Sequence, residues 1–189
     1  MIYPIVAYGH PTLRKVATPI EKDYPELQQL IADMYETMYA SDGCGLAAPQ
    51  IDLSIKLVVI GYRPYDEKTD SYVGDLIEHT LINPEILELK GEKVWFNEGC
   101  LSIPDIHEDV LRPTIVKVHY WDENWVEHTE EVSGMFARVI QHELDHLQGK
   151  VFTDHLSNLR KTMIRRKLTD IATGKIKTRY KMKFATKKH

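Results

Sequence analysis

The segment from Ser133 to Gln148 constrains the fold more than any other part of the chain, because it reads as a helix and carries His142, Glu143 and His146. Ser133 stands where an N-cap belongs and Gly149 where a C′ glycine does. Val139, Ile140, Leu144 and Leu147 leave little of this helix for water, so two histidines and a glutamate are buried with it. Burying them without partners is costly. The i, i+4 step puts both imidazoles on one face, one turn apart, able to share a small cation. Glu143 points about 100° away from His142, which suits a carboxylate that handles the water such a cation activates and does not replace it. The helix therefore needs a sheath of other elements.

The sequence upstream supplies strands. Pro25 opens a helix whose Leu27, Leu30, Ile31, Met34, Tyr35, Met38 and Tyr39 form a core-facing stripe that stops before Asp42-Gly43. Residues 56–60, KLVVI, read as a strand, and the polar stretch 63–79 as a surface loop. An extended segment follows at 80–89, interrupted at Asn83-Pro84, and another at 93–103. TIVKVHYW and WVEHTEEV then form the arms of a hairpin around Asp122, Glu123 and Asn124. Strands clustered between helices, with no βαβ alternation, predict an α+β fold: mainly antiparallel sheets wrapped around a central metal-binding helix, with a C-terminal helix beyond. At 189 residues and 43% hydrophobic, the chain is long and apolar enough for one globular body, which excludes disorder and collagen. We divide it into a catalytic body, 1–155, and a C-terminal helix with a basic tail, 156–189, that is not a separate domain. Cys44 and Cys100 are too sparse for a disulfide framework, the opening MIYPIVAYGHPTLRKV lacks a signal-peptide pattern, and no apolar run reaches the roughly 18 residues of a membrane span. A cytoplasmic location with no membrane contact is expected.

A catalytic ion of this type takes three protein ligands and keeps an open position. No glutamate follows Glu143, so the peptidases that use a later one are excluded, and Phe152 occupies the position of the third metzincin histidine. Downstream, Asp154 and His155 remain. Upstream, Cys100 in NEGCLS is the better candidate, since Asn97, Glu98, Gly99 and Ser102 are not the neighbours of a core cysteine.

Three segments, GCGLAAPQ at 43–50, EGCLS at 98–102 and QHELDHLQG at 141–149, together resemble the signature motifs of bacterial peptide deformylases, in the same order. The resemblance implies a metal-dependent hydrolase that removes the formyl group from the N-terminal formylmethionine of nascent polypeptides and releases formate. It implies Cys100, His142 and His146 as metal ligands, Glu143 as acid/base, and Gln50 with the Leu101 backbone N–H as oxyanion donors. Cys44, Gly45, Phe96, Met135, Arg138 and Val139 would contact the substrate, and Glu98 with Arg112 would brace the cysteine loop. One divalent ion is implied, Fe2+ as the native metal with Zn2+ and Ni2+ as alternatives. The competing reading, a zincin-like metallopeptidase, needs a different third ligand.

Charge is uneven. From Arg160 to the end there are twelve Lys or Arg against one acid, Asp170, whereas the first 159 residues carry twelve basic and twenty-seven acidic ones. A basic appendage of this kind fits a polyanion, nucleic acid first and an acidic protein or membrane surface behind it, with ribosomal RNA the candidate for an enzyme of nascent chains; the alternative is a solvated helix tail. Leu156, Leu159, Met163, Ile164 and Leu168 should dock one face of the C-terminal helix and leave Arg160, Lys161, Arg165, Arg166 and Lys167 in water. Beyond Gly174 no ordered element is expected.

Overall fold

The computed structural model describes residues 1–66 and 68–185. Its elements run β1 (Ile5–Val6), α1 (Leu27–Ala40), β2 (Gly45–Ala47), β3 (Leu57–Tyr62), β4 (Tyr65–Asp66), β5 (Ser71–Tyr72), β6 (Ile77–Cys100), β7 (Ile103–Trp121), β8 (Glu127–Ser133), α2 (Gly134–Leu147), α3 (Asn158–Ala172) and β9 (Met182–Lys183). A five-stranded antiparallel sheet of order β2-β3-β6-β7-β8 is the frame. This is the α+β architecture expected.

The apolar run of β3 shows how the layers form. Successive side chains of a strand face opposite ways, and here Val58 and Ile60 pack with Ile140, Leu144 and Leu147 of α2, while Leu57 and Val59 pack with Leu30, Met34 and Met38 of α1. A strand covered on both faces has no polar alternation, which is why KLVVI is continuous. β7, β8, β2 and β3 all contact α2, so the sheet curls around the helix that carries the histidines. Gly149 ends that helix region at φ +69, and a Cβ there would lie 2.7 Å from the Arg14 carbonyl oxygen. Only glycine fits that approach.

Four expectations are corrected. Asn83-Pro84 does not break the strand: β6 passes through it with a bulge between Ile82 and Glu85, and Asn83 takes φ +50. Its side chain clamps Ile20, accepting from the backbone N–H at 2.9 Å and donating to the carbonyl at 2.8 Å. The 63–79 stretch is not only loop, since β4 and β5 pair within it and β6 begins at Ile77. Ser133 occupies the N-cap position without a side-chain cap bond.

The fourth correction concerns the C-terminal region. Leu156, Ile164 and Leu168 are buried, but Leu159 and Met163 are 71% and 63% exposed, and Arg160 pairs with the buried Glu108 at 2.6 Å and does not stand free in water. Past Gly174 the described residues do form an element: β9 pairs in parallel with β1, and Met182 and Phe184 pack into the cluster under α3, while 186–189 lie outside the described residues. The short β1 needs a partner for its backbone N–H groups, and β9 provides it. Among the described residues no helix is long and apolar enough to cross a membrane.

Candidate metal centre

Two elements bring together the three side chains that could hold an ion. β6 ends at Cys100, and α2 presents His142 and His146; their ligand atoms all lie within 4.8 Å of one another. Cys100 Sγ is 3.4 Å from His146 Nε2. Four-coordinate binding at typical Zn–N and Zn–S lengths separates ligands by roughly 3.4–3.7 Å, so this spacing fits a small divalent ion. The downstream candidates do not join the cluster. Asp154 pairs with Arg14, and His155 Nε2 donates to Asp145 at 2.7 Å.

The bracing around the cluster is built on one carboxylate. Glu98, 5% exposed, accepts from His142 Nδ1 at 3.0 Å, from Arg112 at 2.7 and 3.1 Å, and from Arg138 at 3.0 Å. Orienting a histidine through its second ring nitrogen leaves the first for a cation. Burial alone would raise the Glu98 pKa, but hydrogen bonds from His142 and Arg112 overcome it and lower it to about 2. Arg112 also reaches Asp145 at 2.8 Å, which joins the brace to His155. His146 is fully buried, and burial together with the nearby His142 lowers its pKa to about 3, so it is neutral, the form that binds metals. For His142 burial acts downward as well, but hydrogen bonds to Cys100 and Glu98 outweigh it and raise the pKa. A cluster that favours positive charge between a thiol and a carboxylate suits a shared cation.

Beside the cluster lie the groups expected to act on substrate. Glu143 is buried, which raises its pKa to about 7 against the lowering effect of His142. Its Oε2 has no hydrogen-bond partner among the described residues. Gly45 makes room for it: a Cβ there would lie 2.8 Å from the Glu143 carboxyl carbon. Gln50, in the short helical turn Ala48–Ile51, has its orientation set by the backbone, because its Oε1 accepts from the Ala47 N–H at 2.9 Å. The amide N–H₂ must therefore face inward, and it donates to Cys100 Sγ at 3.5 Å and Ser102 Oγ at 3.3 Å. Leu101 lies in the turn between β6 and β7.

A cleft of about 950 Å³ opens over this centre, and Cys44, Gly45, Phe96, Met135, Arg138 and Val139 all line it. Cys44 is exposed at the cleft wall, and partial desolvation there together with Glu143 pushes its thiol pKa up. Arg138 is engaged on the other side, donating to Glu98 and to the carbonyls of Val94 and Val110. Sequence reasoning missed Ser102 and Asp145, although both sit inside the motifs that it used. It also missed the wall formed by Lys177, Thr178, Arg179 and Tyr180. No pattern in the tail pointed there.

The Polypeptide deformylase family model matches residues 2–162. A peptide deformylase of Christiangramia forsetii is 49% identical over the whole chain and 98% of its own length, and one of Flavobacterium johnsoniae is 49% identical with the same coverage. The crystal structure of a peptide deformylase from Legionella pneumophila superposes with a TM-score of 0.77 at 38% identity, covering 93% of this chain and 98% of that one. One from Plasmodium falciparum gives a TM-score of 0.79 at 34% identity, over 90% and 95%. This chain belongs to the polypeptide deformylase family, and the metallopeptidase alternative is set aside.

The Glu98 network predicts a pH-dependent stability difference. A carboxylate with a lowered native pKa stabilises the fold above its ordinary value of 4.5, and that contribution fades as pH falls toward 2. Glu98→Gln should cost about 3 kcal/mol or more at pH 7, and the gap from the parent protein should narrow steadily between pH 4.5 and 2.5. Urea denaturation of both proteins across that range measures it; a gap independent of pH would contradict the assignment.

Proposed function

We propose, on the premise of that family membership, that the residues gathered in this cleft hydrolyse the formamide at the N-terminal formylmethionine of nascent polypeptides, giving formate and a free amine. The observation that carries this reading is the combination of a sealed Glu143 and an inward-turned Gln50 amide beside one Cys and two His side chains within 4.8 Å of each other.

Cys100, His142 and His146 would hold one divalent ion, which when bound polarises a carbonyl and makes water nucleophilic at neutral pH. A thiolate with two imidazoles suits borderline ions such as Fe2+, Zn2+ or Ni2+, and the thiolate lowers the net charge of a divalent site from +2 to +1. Fe2+ is our choice of native metal, on the strength of the family resemblance. Glu143 takes the proton of the attacking water and returns it to the departing amine; a pKa of about 7 lets one carboxylate serve both steps. Gln50 Nε2 and the Leu101 N–H meet the negative charge that grows on the formyl oxygen. Gln50 is a neutral donor and does not compete with Glu143 for the proton. Phe96, Met135, Val139 and Cys44 form the wall for the methionine side chain, and Gly45 admits the peptide backbone.

The same reading places the protein in the cytoplasm, near the ribosome. On α3 the side chains of Arg165, Arg166 and Lys167 are exposed, and we assign contact with ribosomal RNA to them.

Three outcomes test these assignments. The purified protein should release formate from a formyl-methionyl dipeptide; Glu143→Ala should lose about 10³-fold or more and Gln50→Ala about 10²-fold in kcat, both with unchanged metal content. No formate from the metal-loaded parent protein refutes the reading. Iron-loaded protein should lose activity in air while zinc- or nickel-loaded protein keeps its own, and full iron activity after prolonged aeration would overturn Fe2+. Reversing Arg165, Arg166 and Lys167 to Glu should weaken co-sedimentation with ribosomes and leave dipeptide turnover unchanged; unaltered co-sedimentation removes the RNA assignment.

A further inference from the structure

The segment that follows α3 returns to the cleft. After α3 the chain turns at Gly174, φ +71, and residues 177–180 become part of the cleft wall. The pairing that follows fixes the segment in place: the Ile5 N–H donates to the Lys181 carbonyl at 2.9 Å and the Ala7 N–H to the Lys183 carbonyl at 2.8 Å. Two of its side chains then tie it to both loops that carry the proposed oxyanion donors. Lys183 Nζ pairs with Asp52 at 2.6 Å, and Asp52 caps the helical turn that bears Gln50. The Tyr180 hydroxyl donates to the Leu101 carbonyl at 2.8 Å, 79 residues away in sequence.

That carbonyl belongs to the central peptide of the two-residue connection between β6 and β7, since Cys100 pairs with Ile103 and leaves only Leu101 and Ser102 to reverse the chain. Two-residue connections favour positive φ at one or both central residues, because that matches the twist of the flanking strands. Neither Leu101 nor Ser102 has a positive φ. The turn is therefore held from outside, by Tyr180 on the Leu101 carbonyl and by the Tyr8 N–H on the Ser102 carbonyl at 2.8 Å. Loss of either hold would let the central peptide rotate. Such a rotation would move the Ser102 hydroxyl, which accepts from Gln50.

We propose that Tyr180 is a positioning residue of this centre: by clamping the Leu101 carbonyl it holds the Cys100–Ser102 turn so that the Leu101 N–H, and through Ser102 the Gln50 amide, stay aimed into the cleft. What those donors do rests on the deformylase reading; the clamp itself does not. Tyr180 acts through Leu101 and touches no reacting atom. Its ring packs into the cluster with α1, so the hydroxyl is the part that is specific to positioning.

Tyr180→Phe removes that hydroxyl and keeps the ring. Hydrogen exchange of the Ile103 amide, which closes the turn opposite Cys100, should become about tenfold faster, with exchange at Ile5 and Ala7 unchanged. In the metal-loaded protein, kcat for a formyl-methionyl dipeptide should fall about threefold to tenfold, the worth of one hydrogen bond, with KM and metal content unchanged. The proposal is overturned if the Ile103 amide exchanges as in the parent protein, if kcat holds, or if Ile5 and Ala7 lose protection as well, which would make Tyr180 a general anchor of the tail. Should the parent protein release no formate, the family reaction is what fails, and the exchange rates alone decide the clamp.

Discussion

A single buried carboxylate organises the centre. Glu98 lies on β6, two residues before Cys100, and it accepts from Arg112 on β7 and from Arg138 and His142 on α2. Removing it would take from two guanidinium groups and an imidazole the one acceptor they share, leaving Arg112 only Asp145 and Arg138 only backbone carbonyls, and a buried charge that loses its partner costs more than a pair contributes. The same four residues fix the distance between the strand that carries the thiol and the helix that carries the rings. Helix and sheet are thus joined by charge at the point where the reaction needs them close, while apolar contact at Ile140, Leu144 and Leu147 joins them elsewhere.

Much of this was legible in the sequence, for identifiable reasons. The period-3.6 stripes of α1 and α2 and the run KLVVI are strong signals because each buries a continuous apolar surface. The cluster of Cys100 with His142 and His146 was legible because the local context of Cys100 was wrong for a core residue. Asn83-Pro84 misled because a proline inside a strand usually ends it; the bulge accommodates it, and the Asn83 side chain supplies the backbone partners of Ile20. Leu159 and Met163 misled because helical periodicity shows where a stripe lies but not how much of it a neighbouring sheet covers. β9 could not be read at all, since two residues paired to a distant β1 leave no pattern of their own.

The opposite charges of the body and the C-terminal region also change meaning once the contacts are known. Part of the tail's basic charge is taken up within the molecule: Arg160 by Glu108, Lys183 by Asp52, and Lys161 by the Asp154 carbonyl. The asymmetry is in part the means by which the chain folds its own end back onto an acidic body. Among the described residues, Arg165, Arg166 and Lys167 on α3 and Lys175, Lys177, Arg179 and Lys181 beyond it remain exposed.

The position of Glu143 shows why the fold is wrapped around a helix. A carboxylate in water has a pKa near 4.5 and is a poor proton acceptor at neutral pH. Enclosing it raises its basicity, and the enclosure here is made by backbone packed against it at Gly45, where any larger residue would collide with it. Glu98 is near enough to raise the Glu143 pKa further, but Arg112 acts the other way and His142 opposes burial more strongly than either. The result lies near 7 because desolvation is the largest influence and the nearby charges partly cancel. A looser shell at Gly45 would return Glu143 toward its value in water, where the carboxylate is too weak a base to take a proton from water at neutral pH.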